Sequence, residues 1–103
     1  TPTEIECALK KALSVLKFFP AEAIGGVPYL KAISAPYSEV RFVPTGGIDS
    51  HNLNEYLSLS TVIACGSSWM VSPDLLAAKR FNEITRRVEE AVELVRRIRE
   101  GKT

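Results

Sequence analysis

Three apolar segments of strand length alternate with helical patterns along this chain, and this order restricts the fold more than any other feature. The segments cover residues 15–19, 40–43 and 61–65. Helical patterns precede, separate and follow them. Strands that alternate with helices indicate right-handed βαβ crossovers and a parallel sheet. The sequence therefore predicts an α/β fold.

The helices are predicted from apolar spacing and from end signals. The first covers residues 2–13, because Thr1 and Glu4 have the spacing of a capping box and Pro2 suits the first helical position. A short helix is predicted at 27–33. Another carries Leu53, Tyr56 and Leu57 on one face and is capped by Asp49 or Ser50. A helical turn at 75–78 precedes a long amphipathic helix at 80–99, whose predicted buried stripe is Ile84, Val88, Ala91, Val92, Val95 and Ile98.

The first strand carries a lysine among apolar residues. Side chains alternate between the faces of a strand, so Lys17 shares a face with Val15 and Phe19. Because both faces are otherwise apolar, the strand is expected to be buried on both sides, where an unpaired ammonium costs several kcal/mol. A desolvated amine loses its proton more readily and can condense with a ketone to form a Schiff base. The open alternative is that Lys17 pairs with Glu22 or reaches solvent at the strand end.

Composition restricts the class of partner. The chain has 103 residues, is 46% hydrophobic and 24% charged, and has a formal net charge of +1. This balance gives no global argument for binding nucleic acid or an acidic membrane surface. No apolar run approaches the roughly 20 residues that span a bilayer, and no signal-peptide pattern begins the chain. We expect a cytoplasmic protein with neither nucleic acid nor membrane as partner.

Glycine-containing loops follow the second and third predicted strands. The first loop contains Gly46 and Gly47, and the second begins with residues 66–68 (GSS). Glycine lets backbone amides approach an anion, and ligands of α/β folds bind where parallel strands end. The two serines add hydroxyl donors, and Thr45 could hydrogen-bond to a substrate hydroxyl near the amine. These loops predict a phosphate site beside Lys17.

Phosphate sites after the last two strands are typical of the (β/α)8 TIM barrel, which makes these strands about six to eight of eight. A complete barrel needs about 200 residues or more. Residues 1–103 are therefore predicted to be the C-terminal half of a single barrel domain. Such a half leaves open sheet edges and an uncovered apolar face. We expect an N-terminal half, or further copies of the chain, as its partner.

Four motifs carry a resemblance to a known family. They are residues 1–4 (TPTE), 16–22 (LKFFPAE), 40–48 (VRFVPTGGI) and 66–69 (GSSW). Together they resemble the 2-dehydro-3-deoxy-6-phosphogluconate aldolases, also called KDPG/KHG aldolases. The resemblance implies a class I, Schiff-base aldolase with a trimeric (β/α)8 fold and neither cofactor nor metal. Its substrate would be the phosphorylated keto acid, cleaved to pyruvate and glyceraldehyde 3-phosphate.

The resemblance also assigns roles to residues. Lys17 would be the Schiff-base lysine, Phe19 would line the pyruvate pocket, and Thr45 would orient the substrate. Many members have glycine where this chain has Ser67, which narrows the loop. The family's acid/base glutamate and carboxylate-binding arginine belong to the N-terminal half, and Glu22 is a weaker candidate for the acid/base role. The phosphate would be bound by Gly46, Gly47, Gly66 and Ser68.

Two other functions remain open at this point. A related keto-acid aldolase could act on 4-hydroxy-2-oxoglutarate or a phosphogalactonate-type substrate, and the effect of phosphate on turnover would distinguish it. A half-barrel assembly module would do no chemistry, so its Lys17 would form no imine.

Overall fold

The computed structural model describes residues 1–101. Within them, two parallel strands are combined with five helices, which agrees with the predicted α/β fold. In chain order the elements are α1 (Pro2–Lys10), β1 (Val15–Phe18), α2 (Gly26–Ser34), β2 (Arg41–Pro44), α3 (Leu53–Leu57), α4 (Pro73–Ala77) and α5 (Phe81–Glu100).

The two faces of the β1–β2 sheet differ in burial. Leu16 lies opposite Phe42 and Lys17 lies opposite Val43, so these two rows point to opposite sides. Phe42 is buried in the core, whereas Lys17 is exposed. On the same face as Lys17, Val15 is 55% exposed. The prediction of a strand buried on both faces is therefore wrong, because no helix among residues 1–101 covers the face that carries Lys17.

The third predicted strand, residues 61–65, is not a regular strand. This segment lies beside β2, as expected, but pairs with it through only two isolated parallel bridges, Phe42 with Val62 and Thr45 with Gly66. Between these bridges β2 advances three residues and the third segment advances four. One additional residue interrupts a ladder of hydrogen bonds, as in a β-bulge. The predicted position of the third segment beside β2 is confirmed, but the prediction that residues 61–65 form a regular strand is wrong.

The core lies on the other side of the sheet, between β1, β2 and the helices that connect the strands. Leu30 of α2 and Tyr56 of α3 are fully buried there. Helix α2 begins and ends close to its predicted bounds of 27–33 because apolar residues recur at helical spacing. The buried cluster consists of Ile5, Phe18, Ala21, Leu30, Ile33, Val40, Phe42, Ile48, Leu53, Tyr56, Leu57 and Val62.

The predicted start of α1 is confirmed. The Thr1 hydroxyl accepts a hydrogen bond from the Glu4 amide at 3.3 Å, and the full capping box is present. The helix ends at Lys10 rather than residue 13, because Ala12 adopts a positive φ of 60° that no right-handed helix accommodates.

The predicted cap of α3 is wrong. Its N-cap is Asn52, whose side chain makes no capping hydrogen bond, rather than Asp49 or Ser50. The Asp49 carboxylate instead accepts from the His51 amide at 2.8 Å. This local turn delays the start of the helix until Leu53.

The buried stripe of α5 is only partly as predicted. Ala91 is buried, and Val95 and Ile98 pack partly against the core. Val92 is 64% exposed, so the outer part of the stripe has no covering element among the described residues. None of the helices in residues 1–101 is long and apolar enough to cross a membrane.

Candidate active site

An open cleft of about 480 Å³ lies where β1, β2 and the third segment end. The three chain segments meet there because parallel strands end at the same edge of a sheet. Gly66, which precedes the serines, is paired with Thr45 through the second isolated bridge. The structure thus brings together the predicted substrate-binding residues, six of which line the cleft: Phe19, Thr45, Gly46, Gly47, Ser67 and Ser68.

Lys17 lies beside this cleft rather than inside it. Its Nζ is 4.9 Å from the centroid of the Phe19 ring, a cation–π distance. Lys17 lines a neighbouring hollow, and Phe19 contributes to both spaces. Within residues 1–101 Lys17 forms no ion pair with Glu22. Lys17 is exposed, which agrees with the alternative in which its side chain reaches solvent. The Phe19 ring connects the amine to the glycine loops.

The backbone of the first glycine loop needs glycine for conformational reasons. Gly46 has a φ of +108° and Gly47 a φ of +77°, in the region that residues with a Cβ avoid. The loop is joined to the turn that follows β1 by two backbone hydrogen bonds. The Ala21 amide donates to the Thr45 carbonyl at 2.8 Å, and the Glu22 amide donates to the Gly46 carbonyl at 3.1 Å. The spacing between the lysine strand and the glycine loop is therefore fixed.

The two serines of the second loop have different surroundings. The Ser67 hydroxyl donates its single proton to the Ile48 carbonyl, so it connects the two loops instead of pointing a donor into the cleft. Ser68 is exposed, and its hydroxyl has no hydrogen-bond partner within residues 1–101. Of the two predicted hydroxyl donors, Ser68 is the one available to an anion.

Sequence reasoning missed a hydrogen-bond network around Glu22. The Tyr56 hydroxyl donates to Glu22 Oε2 at 2.6 Å, and Asn52 Nδ2 donates to Glu22 Oε1 at 2.9 Å. Burial, together with the hydrogen bond to Glu22, raises the pKa of the Tyr56 phenol well above its usual range. Tyr56 lies on the apolar face of a predicted helix, and a buried tyrosine hydroxyl needs a hydrogen-bond partner, so the sequence did indicate that a polar group packs against it. With both carboxylate oxygens engaged, Glu22 is poorly placed as an acid/base.

A lysine near the end of one parallel strand and two glycine-containing loops after the neighbouring segments give an α/β protein with a candidate site at the carboxyl edge of the sheet. A profile of the KDPG and KHG aldolases matches residues 1–99. The chain belongs to this aldolase family.

Individual relatives agree with this family. The chain is 43% identical to the 2-dehydro-3-deoxy-phosphogluconate aldolase of Haemophilus influenzae over 95 residues, which are 92% of this chain and 45% of that protein. It is 48% identical to the 2-dehydro-3-deoxy-phosphogluconate aldolase of Treponema pallidum over 93 residues, which are 90% of this chain and 44% of that protein. The chain thus spans less than half the length of these relatives.

A solved structure extends the agreement to the fold. The KDPG aldolase of Legionella pneumophila, with pyruvate captured at low pH as a covalent carbinolamine intermediate, superimposes with a TM-score of 0.79 at 39% identity. The match covers 95% of this chain and 44% of that one. The predicted fold class, a part of an α/β aldolase barrel, is confirmed.

Proposed function

We propose that this chain is the C-terminal half of a class I aldolase that cleaves 2-dehydro-3-deoxy-6-phosphogluconate to pyruvate and glyceraldehyde 3-phosphate. One observation carries the proposal. The Phe19 ring lies 4.9 Å from the Lys17 amine and also lines the cleft formed by the glycine loops. A keto group at the amine and a phosphate at the loops could therefore belong to one substrate. The pyruvate adduct captured in the Legionella relative supports the same chemistry here.

The proposed reaction begins with attack of the Lys17 amine on the C2 ketone. Loss of water gives a protonated imine, which withdraws electrons from the adjacent carbons. A base removes the proton of the C4 hydroxyl, and the C3–C4 bond breaks to release the aldehyde and leave an enamine. Protonation at C3 gives the pyruvate imine, and water then releases pyruvate and the free amine.

The substrate-binding residues would divide the substrate between them. Phe19 would line the pyruvate pocket, and Thr45 would orient the substrate hydroxyls. Ser67 would shape the loop through its bond to Ile48. The phosphate would be bound by Gly46, Gly47, Gly66 and Ser68.

The proposal assigns the acid/base and the carboxylate-binding arginine to an N-terminal half. Glu22 has both oxygens engaged by Tyr56 and Asn52. The same half would cover the exposed face that carries Lys17 and exclude water from the amine. A homotrimer, a cytoplasmic location and the assignment of residues 1–103 to one barrel domain are proposed on the same resemblance, with no cofactor required.

Borohydride reduction in the presence of pyruvate tests the central claim. We expect a reduced adduct on Lys17, detected by intact mass and peptide mapping, and its loss in Lys17→Ala. Lys31→Ala is the matched control, because Lys31 is an exposed lysine on α2, outside the cleft. Its adduct should equal that of the unchanged chain. A folded chain without an adduct would show that Lys17 does no chemistry in this half alone, and the absence of an adduct also in the barrel completed with its N-terminal half would contradict the role of Lys17 and favour the assembly module.

The environment of Ser67 favours a second candidate, a related keto-acid aldolase. The Ser67 hydroxyl, in the loop proposed to bind phosphate, donates its hydrogen bond to the Ile48 carbonyl. The cleft therefore has one hydroxyl donor fewer for the phosphate group. Turnover of the barrel completed with its N-terminal half should be compared on the phosphorylated substrate and on 4-hydroxy-2-oxoglutarate. Faster turnover of the unphosphorylated acid would establish this alternative.

A further inference from the structure

The Glu22 side chain is packed against two glycines from different turns. A Cβ at Gly47 would lie 2.9 Å from Glu22 Cβ and 2.8 Å from Glu22 Cγ. A Cβ at Gly26 would lie 2.7 Å from Glu22 Oε2. Real side chains do not approach so closely, so the Cβ and Cγ of Glu22 occupy space that exists only because residue 47 is glycine, whereas at Gly26 the contact involves the movable end of the Glu22 side chain. Gly47 is therefore needed for contact with Glu22 as well as for its backbone conformation.

The carboxylate of Glu22 extends this contact to the start of α3. Tyr56, which is fully buried, donates to one oxygen, and Asn52 donates to the other. Asn52 Nδ2 also donates to the Gly47 carbonyl at 2.9 Å, and its Oδ1 accepts from the Asp49 amide at 2.9 Å. One acidic side chain thus connects the turn after β1, the glycine loop and helix α3.

We propose that Glu22 is a positioning residue that, through Asn52 and Tyr56, holds the Gly46–Gly47 loop in the geometry that binds a phosphate group. The inference rests on the proposed function, because it concerns the phosphate end of the same cleft. A loop fixed before the ligand arrives loses less conformational freedom on binding, so its affinity is higher. Glu22 thereby acts on the anion without touching it.

Two variants each remove one hydrogen bond of the network without changing the loop itself. Glu22→Gln keeps the size of the side chain but replaces one carboxylate oxygen with an NH2 group. Either the Tyr56 hydroxyl or the Asn52 amide then faces another donor instead of an acceptor. Tyr56→Phe removes only the buried hydroxyl. The matched control is Tyr37→Phe, which also breaks a tyrosine–glutamate hydrogen bond, to Glu6 at 2.9 Å, outside the cleft.

The first readout is the affinity for inorganic phosphate, followed by NMR titration of the amides of residues 46–48 and 68. We expect the dissociation constant to rise about tenfold in both variants, as for the loss of one charge-assisted hydrogen bond, and to stay within about twofold in the control. Borohydride trapping of pyruvate at Lys17 should slow by a smaller factor, since pyruvate has no phosphate. Equal losses in both readouts would contradict a role confined to the loop.

The second readout needs no ligand. The Ala21 and Glu22 amides donate to carbonyls of the glycine loop, so their hydrogen exchange reports how firmly the loop is attached. In Tyr56→Phe we expect exchange about tenfold faster at both amides, and no change in Tyr37→Phe.

The outcomes separate the two proposals. Unchanged exchange in a folded Tyr56→Phe chain would overturn the positioning role, whatever the chain binds. Faster exchange without a change in phosphate affinity would overturn its connection to phosphate. Faster exchange and weaker phosphate binding, in a chain that traps no pyruvate even when completed with its N-terminal half, would support the positioning role and reject the aldolase proposal.

Discussion

Gly66 determines how closely the third segment approaches β2 at the site. Its amide donates to the Pro44 carbonyl at 2.9 Å, and a Cβ built on it would lie 2.7 Å from Thr45 Oγ1. Threonine is β-branched and has few rotamers, so it cannot turn aside easily. The glycine is therefore required by contact with Thr45, in addition to any role in binding an anion.

We expect Gly66→Ala to lower the free energy of unfolding by about 1–3 kcal/mol, the usual cost of inserting a methyl group into a filled space. Gly101→Ala is the matched control, because a Cβ there would meet its nearest atoms at 3.5 Å, an ordinary contact. Its effect should stay within about 0.5 kcal/mol. Urea unfolding of both variants gives the comparison, and equal stabilities would show that Thr45 moves at no cost.

Helix α5 is stabilised in part by ion pairs between its own side chains. Its charged residues form ion pairs three or four positions apart, including Arg86 with Glu90 at 2.5 Å and Arg96 with Glu100 at 2.6 Å. Pairs of this spacing support a helix that is only partly covered by the core. Arg87 also donates to the Trp69 carbonyl at 2.9 Å and so joins the helix to the loop of the cleft.

The stability of the chain should depend on pH through Glu83. Hydrogen bonds from Arg86, with a smaller contribution from Arg87, lower the pKa of this carboxyl from 4.5 to about 2. A lowered pKa stabilises the folded state above the unfolded value, and this contribution is lost as the pH falls from about 4.5 toward 2.

We therefore expect Glu83→Gln to show a shallower fall in melting temperature than the unchanged chain over this acid range, measured by circular dichroism. Glu89→Gln is the control, since Glu89 lies on the same helix and forms no ion pair within residues 1–101. It should keep the original pH dependence. A steep fall in Glu83→Gln would assign the acid sensitivity to other groups.

At the scale of the whole molecule, one face of the sheet is covered and the other is open. Val15 is 55% and Phe19 60% exposed on the open face, beside Lys17. Exposed apolar residues grouped on one face mark a surface that another protein element covers. In the proposed aldolase that element is the N-terminal half.

We expect the chain alone to self-associate through this face as its concentration rises, measured by sedimentation velocity. Val15→Thr should raise the dissociation constant of self-association about tenfold, because it replaces apolar contact area with a hydroxyl. Val71→Thr makes the same chemical change at a residue that is 40% exposed and lies in the loop before α4. A matching loss of association in Val71→Thr would mean that the open sheet face is not the contact.

Much of this protein follows from its sequence alone. The order of elements, the starts of α1 and β1, and the candidate lysine and glycine loops depend on neighbouring residues or on motifs shared with the aldolases. Spacing of apolar residues and capping preferences act within a few positions, so a linear sequence displays them.

The tertiary structure decided what depends on distant residues. The face of the sheet that carries Lys17 is exposed, and one additional residue in the third segment interrupts its pairing with β2. The Ser67 hydroxyl donates a hydrogen bond to the Ile48 carbonyl. The fold also joins Glu22 to Asn52 and Tyr56, more than 29 positions away along the chain. Burial and hydrogen-bond partners depend on which segments lie next to each other in the folded chain. The spacing of residues within one segment does not determine its distant neighbours.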